Sequence, residues 1–256
     1  MKTIWLLRIA FAAAVLALWQ LASGRLMSAL YISSPSAVGQ KLYEMLEDGS
    51  LIRHMATTAF EAGAGFVLGA AAGVAVGLLL GRARLLAEVL DPFLMGLYSL
   101  PKVALAPLFV MWFGIETGMK VIFAAVVVFF LVFLSTYSGV RNVSRELITI
   151  FRLMGATETQ VVRKVILPAA LTWVFAGLRL SAPYALVGAI IAELIAANRG
   201  LGYLVDNATT QFDTAAAFAA VAGILFLSAA LNVLIKLAER WATPWRAAEE
   251  NREVAV

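Results

Sequence analysis

Six apolar stretches, residues 4–21, 55–80, 92–113, 121–137, 173–196 and 215–237, take up roughly half of this chain. Each is close to the ~20 residues that a helix needs to cross the hydrocarbon core of a bilayer. Lipid offers no partner for backbone N–H and C=O groups, so stretches that cross it must satisfy those groups within themselves, as helices do. The expected fold is therefore all-α, a polytopic membrane bundle of about six transmembrane helices. A composition that is 62% hydrophobic and 14% charged, with a mean hydropathy of +0.89, supports that reading.

The charges between the stretches give the chain a direction. Lys2, Arg8, Arg82, Arg84, Arg141, Arg145, Arg152, Arg163, Lys164, Arg240, Arg246 and Arg252 fall on one side if the chain crosses six times. On the other side, Arg25, Lys41, Arg53, Lys120 and Arg199 face Glu44, Glu47, Asp48, Glu116, Asp206 and Asp213. The basic excess marks the cytoplasmic side, which puts both termini and the loop 141–172 there. The net charge of +4 is thus topological and does not point to nucleic acid. Residues 4–21 with Lys2 and Arg8 have the outline of a signal peptide, but the apolar run is long for one, and a retained first helix is expected.

The chain divides into three parts. Residues 1–53 hold the first helix and an outer-surface segment, in which Ser33-Ser34-Pro35-Ser36 opens a short helix over 38–45. Residues 54–240 form the core, and 241–256 a cytoplasmic tail. In the second stretch Gly65, Gly69, Gly73, Gly77 and Gly81 recur at every fourth position. Such a ridge lets another helix approach closely, so it predicts tight packing within the bundle.

The third stretch carries Pro101 and Pro107 with Lys102 between them, and a continuous helix is not expected there. Charges inside a membrane are candidates for function. Glu61, Lys102 and Glu193, with Tyr98 beside the proline break, are the candidate pathway residues. Lys102 suits an anionic solute, although pairing with Glu61 or Glu193 is an equal structural alternative. Arg179 is expected to snorkel to the cytoplasmic end.

The loop between the fourth and fifth stretches reads as two short helices hinged at Gly155. Leu147, Ile150, Phe151 and Met154 share one helical face by spacing. Gly155 suits a left-handed helix end, and Thr157 with Gln160 has capping-box spacing. Val161, Val162, Val165 and Ile166 line one side of the second helix, Arg163 and Lys164 the other, until Pro168 interrupts it.

Gly155, nine residues and then Val165-Ile166-Leu167-Pro168 resemble the cytoplasmic loop of binding-protein-dependent ABC importer permeases. The stretch from Tyr98 through Pro101, Lys102 and Pro107 to Gly114 resembles their nitrate/sulfonate/taurine branch. So do residues 54–58 and Ala192-Glu193-Leu194-Ile195 leading to Gly200-Leu-Gly-Tyr203. The resemblance spans residues 54 to 240. The family's Glu-Ala-Ala is replaced here by Thr149, Ile150 and Phe151, which removes its acidic contact. The resemblance implies a type I importer permease fold whose loop, including Ala156, Leu167 and Pro168, inserts a coupling helix into a partner ATPase. It further implies a cytoplasmic ATPase dimer, a periplasmic or lipid-anchored binding protein, a second permease copy and residence in the bacterial inner membrane. The cargo implied is a small solute, an anion such as a sulfonate, nitrate or organic acid.

The residues themselves supply no catalytic constellation. There is no phosphate-binding Gly-x-x-x-x-Gly-Lys motif, so ATP and Mg would be held by the partner and no cofactor is expected in this chain. With no cysteine and a single histidine, His54, no metal cluster is expected either. The alternatives left open are an ion-coupled carrier and, further off, an intramembrane enzyme.

Overall fold

The computed structural model describes residues 2–26 and 28–242. The chain runs through α1 (Lys2–Ala22), α2 (Ala29–Ile32), α3 (Pro35–Glu47), α4 (Ser50–Arg82), α5 (Arg84–Ser99), α6 (Lys102–Phe113) and α7 (Thr117–Arg141). It continues through α8 (Arg145–Leu153), α9 (Glu158–Val161), a π turn (Val162–Ile166), α10 (Leu167–Ala196), α11 (Leu201–Thr210) and α12 (Thr214–Ala242). Arg246 and Arg252 of the expected tail lie outside the described residues.

The glycine ridge sets the core. A methyl group added at Gly65, Gly77 or Gly81 would come within 2.6–2.7 Å of α7, against Ala124, Thr136 and Val140 respectively. Gly69 and Gly73 meet the α7 backbone in the same way. The contacts advance together along both helices, so α4 and α7 run parallel. Gly177 against Ser135 and Gly188 against Ala124 then place α10 antiparallel to α7. Small residues at these crossings replace the hydrophobic driving force that lipid does not provide. Ala62, Ala70, Val128, Val132, Ala185, Leu186 and Ala189 fill the buried centre between the three helices.

Two parallel helices require the chain to return between them, and α5 with α6 makes that return. Their axes are bent by 91° at the break, and the pair counts as one broken span, giving five unbroken candidates and a sixth if the pair is included. Pro101 forces the break, because the residue before a proline is driven out of helical geometry. Leu100 is extended, with φ −62° and ψ 134°. Pro107, by contrast, sits inside α6, so only one of the two prolines interrupts the span. Phe109, Met119, Phe123 and Ala192 pin α6 against α7 and α10.

At the opposite end from the α7–α10 loop, Ser34 caps α3 by accepting from the Ala37 amide, with Pro35 in the first turn. Met45, Leu51, Leu201 and Ala219 then gather α3, α4, α11 and α12. Helix α1 touches the rest mainly through its last turns, where the Trp19 indole donates to the Ile32 carbonyl and its ring meets Phe218. The other large side chains of α1 are exposed, as befits a helix that faces lipid.

Two expectations are corrected. Pro168 does not interrupt the second loop helix: α9, the π turn and α10 form one candidate span over Glu158–Ala196. The wide turn, in which the Leu167 amide reaches back to the Val162 carbonyl, absorbs the donor that proline lacks. Arg179 does not simply snorkel. It forms an ion pair with Glu239 of α12, a buried carboxylate.

Candidate functional site

The loop between α7 and α10 is built by local backbone chemistry. Ser144 caps α8 by accepting from the Leu147 amide. Gly155, at φ +80°, ends it, and the Ala156 amide closes back on the Phe151 carbonyl at 3.0 Å. A residue with a Cβ is disfavoured in that left-handed region. Thr157 and Gln160 form a reciprocal capping box, with the Thr157 amide donating to Gln160 Oε1 at 2.8 Å. Across the hinge, Arg152 grips Glu158 with two bonds, Nε to Oε1 at 2.8 Å and Nη2 to Oε2 at 3.2 Å.

The apolar residues of α8 divide between two directions. Ile148 and Phe151 are half-buried, whereas Leu147, Ile150 and Met154 are exposed. Leu153, absent from the face read by spacing, is the most exposed of all at 83%, with Met154 at 79%. Phe151 therefore leans toward the body of the protein and does not share fully in the outward face. Thr149 is exposed beside these residues and has an interaction of its own. Val161 and Val165 are buried, which anchors the second half of the loop to the bundle. Leu167 is exposed and Pro168 half-buried at the start of α10.

The charged residues of the spans separate into two groups. Lys102 stays with Tyr98: its ammonium donates to the Tyr98 carbonyl, freed at the end of α5, and lies 4.5 Å from the Tyr98 ring and 5.1 Å from that of Phe130. It reaches neither glutamate by a hydrogen bond or ion pair among the described residues. Glu61 and Glu193 come together instead, at the end opposite the loop, and both are fully buried. Thr58 donates to Glu193 Oε1 at 2.7 Å, and the Gly202 amide donates to Oε2 at 2.6 Å. The same Thr58 hydroxyl accepts from the Leu201 amide at 2.8 Å, while His54 Nδ1 accepts from the Gly200 amide at 3.0 Å. Lys120, also buried, donates to the Ile115 carbonyl at 2.9 Å, and its charge acts on both carboxyls.

His54, Thr58 and Lys120 were not among the sequence candidates. Their importance comes from partners more than a hundred residues away or from burial at a helix start, which spacing does not reveal. Leu153 was the one omission that helical periodicity could have supplied.

Comparison with known proteins identifies the family of the chain that carries this arrangement. Residues 65–247 match the family described as binding-protein-dependent transport system inner membrane component. The putative aliphatic sulfonates transport permease protein SsuC of Bacillus subtilis is 32% identical over 243 residues, covering 94% of this chain and 88% of that protein. The taurine transport system permease protein TauC of Escherichia coli is 31% identical over 232 residues, covering 89% and 84%. Among solved structures, an inward-facing form of the MetNI methionine ABC transporter superposes with a TM-score of 0.65 at 19% identity, over 74% of this chain and 94% of that one. The fold and the matches define a multi-pass membrane permease of the ABC importer class. The chain belongs to the binding-protein-dependent transport system inner membrane component family.

Proposed function

We propose that this permease, paired with a second copy, forms the translocation pathway for a small organic anion of the sulfonate type. A separate binding protein would deliver the solute, and a cytoplasmic ATPase pair would drive the cycle by docking on α8. The observation that carries the reading is the cluster Leu147, Ile150, Leu153 and Met154, apolar yet exposed at the end of a loop rich in basic residues. A patch of that kind, outside the apolar spans, marks a partner surface. The basic excess supports a cytoplasmic position for the loop and both termini, in the bacterial inner membrane that the reading requires. The sulfonate and taurine permeases among the relatives support the sulfonate cargo.

The mechanism is alternating access. ATP draws the two ATPase subunits together, and each carries the α8 docked in it. Because α9, the π turn and α10 are continuous, a displacement of α8 passes through the Gly155 hinge and the Arg152–Glu158 contact into α10. Helix α10 is locked to α7 by Gly177 and Gly188, and α7 to α4 by the glycine ridge. The three helices therefore move as one body, opening the far end when the loop end closes.

Reconstituted proteoliposomes containing the permease, its ATPase and binding protein test this directly. Uptake of a labelled alkanesulfonate should require ATP and should stop when the ATPase is omitted. Uptake that continues without the ATPase would make the chain an ion-coupled carrier.

A further inference from the structure

At the far end, the opening amides of α11 are held from outside the helix. Gly200, Leu201 and Gly202 donate in turn to His54 Nδ1 at 3.0 Å, Thr58 Oγ1 at 2.8 Å and Glu193 Oε2 at 2.6 Å. Amides of a first helical turn have no partner within their own helix, so these three side chains supply what the backbone cannot. His54 and Thr58 stand four residues apart on one face of α4, which fastens the α10–α11 corner to that helix. A backbone amide can only donate. Nδ1 is therefore the bare nitrogen, and His54 is neutral with its proton on Nε2. Its ring is stacked 5.8 Å from that of Tyr203. Among the described residues the charges that act on it are two cations, Arg53 and Arg199, with no carboxylate to offset them.

Resting on the reading that puts the loop in the cytoplasm and the far end outside, we propose that His54 is a proton-operated latch through which external acid slows transport. Histidine is the side chain whose ordinary charge change falls between about pH 5 and 8. Once protonated, both ring nitrogens carry hydrogen, so Nδ1 turns from acceptor to donor and opposes the Gly200 N–H. The new charge also sits at the positive end of α11 and beside two cations. Gly200, buried at φ +112°, thus loses its partner as pH falls. Asn198 and Arg199, the residues just before it, line a cavity of about 730 Å³ to which Ala56 and Thr57 of α4 also contribute. With His54 neutral, the bond fixes that lining to α4. With His54 charged, the corner comes away and the lining with it. Thr58 and Glu193 keep their own donors, so α11 stays folded while its leading residue is released. A wall that is no longer fixed closes poorly over a solute, which alternating access requires.

His54 is the single histidine of the chain, so nitrogen-15 histidine labelling of the full permease in lipid nanodiscs gives the NMR signals of one residue. Nδ1 should read as the unprotonated nitrogen at about pH 8 and take up a proton on titration to about pH 5. A protonated Nδ1 at the upper pH, or a ring that stays neutral throughout, overturns the proposal. His54→Asn keeps an acceptor near the place of Nδ1 but cannot titrate. Hydrogen exchange of peptides over residues 197–204 should be equal in the two proteins at about pH 8. At about pH 5 it should be about fivefold faster in the wild type, the weight of one hydrogen bond. Uptake of a labelled alkanesulfonate into proteoliposomes, with only the external pH lowered, should fall several-fold in the wild type relative to His54→Asn. Exchange or uptake that stays the same in the two proteins at low pH overturns the latch. Should His54→Asn not purify, the nitrogen titration decides the matter. Absence of ATP-dependent uptake by both proteins at about pH 8 counts against the permease reading alone, and the titration and the exchange then decide the latch.

Discussion

Thr58 and Glu193, 135 residues apart in sequence, meet through a 2.7 Å hydrogen bond in the buried far end of the bundle. Because the Thr58 hydroxyl also accepts from the Leu201 amide, one side chain of α4 ties the end of α10 to the start of α11. Gly200 has to be glycine at this junction: its φ is +112°, and a Cβ there would collide with the Glu193 carboxyl.

Thr58→Val keeps the volume but removes both bonds, leaving a buried carboxyl oxygen and a buried amide without partners. That should destabilise the purified permease by about 2 kcal/mol. A thermal unfolding scan in detergent reads the loss, and an unchanged transition would show that the contact is dispensable.

Gly73→Leu should prevent α4 from seating on α7. A Cβ alone would lie 2.9 Å from the Phe129 carbonyl oxygen and 3.0 Å from the Phe133 amide nitrogen, and backbone atoms cannot step aside as a flexible side chain can. Poor membrane accumulation and aggregation on extraction are expected, as seen by size-exclusion chromatography of a fluorescent fusion. A monodisperse peak at wild-type yield would contradict the parallel α4–α7 core.

Lys102 holds the bend between α5 and α6 by occupying the Tyr98 carbonyl and lying against two rings. Lys102→Met retains the stem and loses the charge, so uptake should fall several-fold while the ATPase stays bound. Lys102→Arg, which keeps a cation against the aromatic faces, should recover part of it. If Lys102→Met transports as well as the wild type, the bend does not need the lysine.

Orientation can be read by cysteine labelling, since the chain has no cysteine of its own. A cysteine at Thr157 should resist an impermeant maleimide in intact cells and react once the membrane is opened. Labelling from outside would invert the topology.

Some of this was legible in the sequence because it is local. The left-handed Gly155, the capping box of Thr157 and Gln160, and the break at Pro101 follow from the chemistry of a few adjacent residues. The glycine ridge predicted close packing, and α7 is the partner it meets. Features that depend on where distant helices land were not legible. Lys102 carries the same charge as Lys120, yet only Lys120 lies near the glutamates, because α7 starts beside them while the α5–α6 bend carries Lys102 to Tyr98. Arg179 could not be matched to Glu239 until α10 and α12 were seen side by side. The outward face of α8 was partly misread because spacing identifies a stripe but not which neighbour covers it. Phe151 turns inward, and Leu153 takes its place outside.

The central claim is that the exposed apolar residues of α8 seat the ATPase. Co-expression of the permease with its ATPase, followed by affinity purification through the permease, measures it directly. Leu153→Asp and Met154→Asp change side chains that are 83% and 79% exposed, so neither should disturb folding or insertion. Each would bury an unpaired carboxylate in the docked complex, which costs more than the ~2–7 kcal/mol of a neutral polar group left without a partner. The account predicts that both variants purify at wild-type yield with the ATPase reduced at least about tenfold, since 1.4 kcal/mol is already a factor of ten. A full complement of ATPase on the Leu153→Asp/Met154→Asp double variant would contradict it and move the docking surface elsewhere.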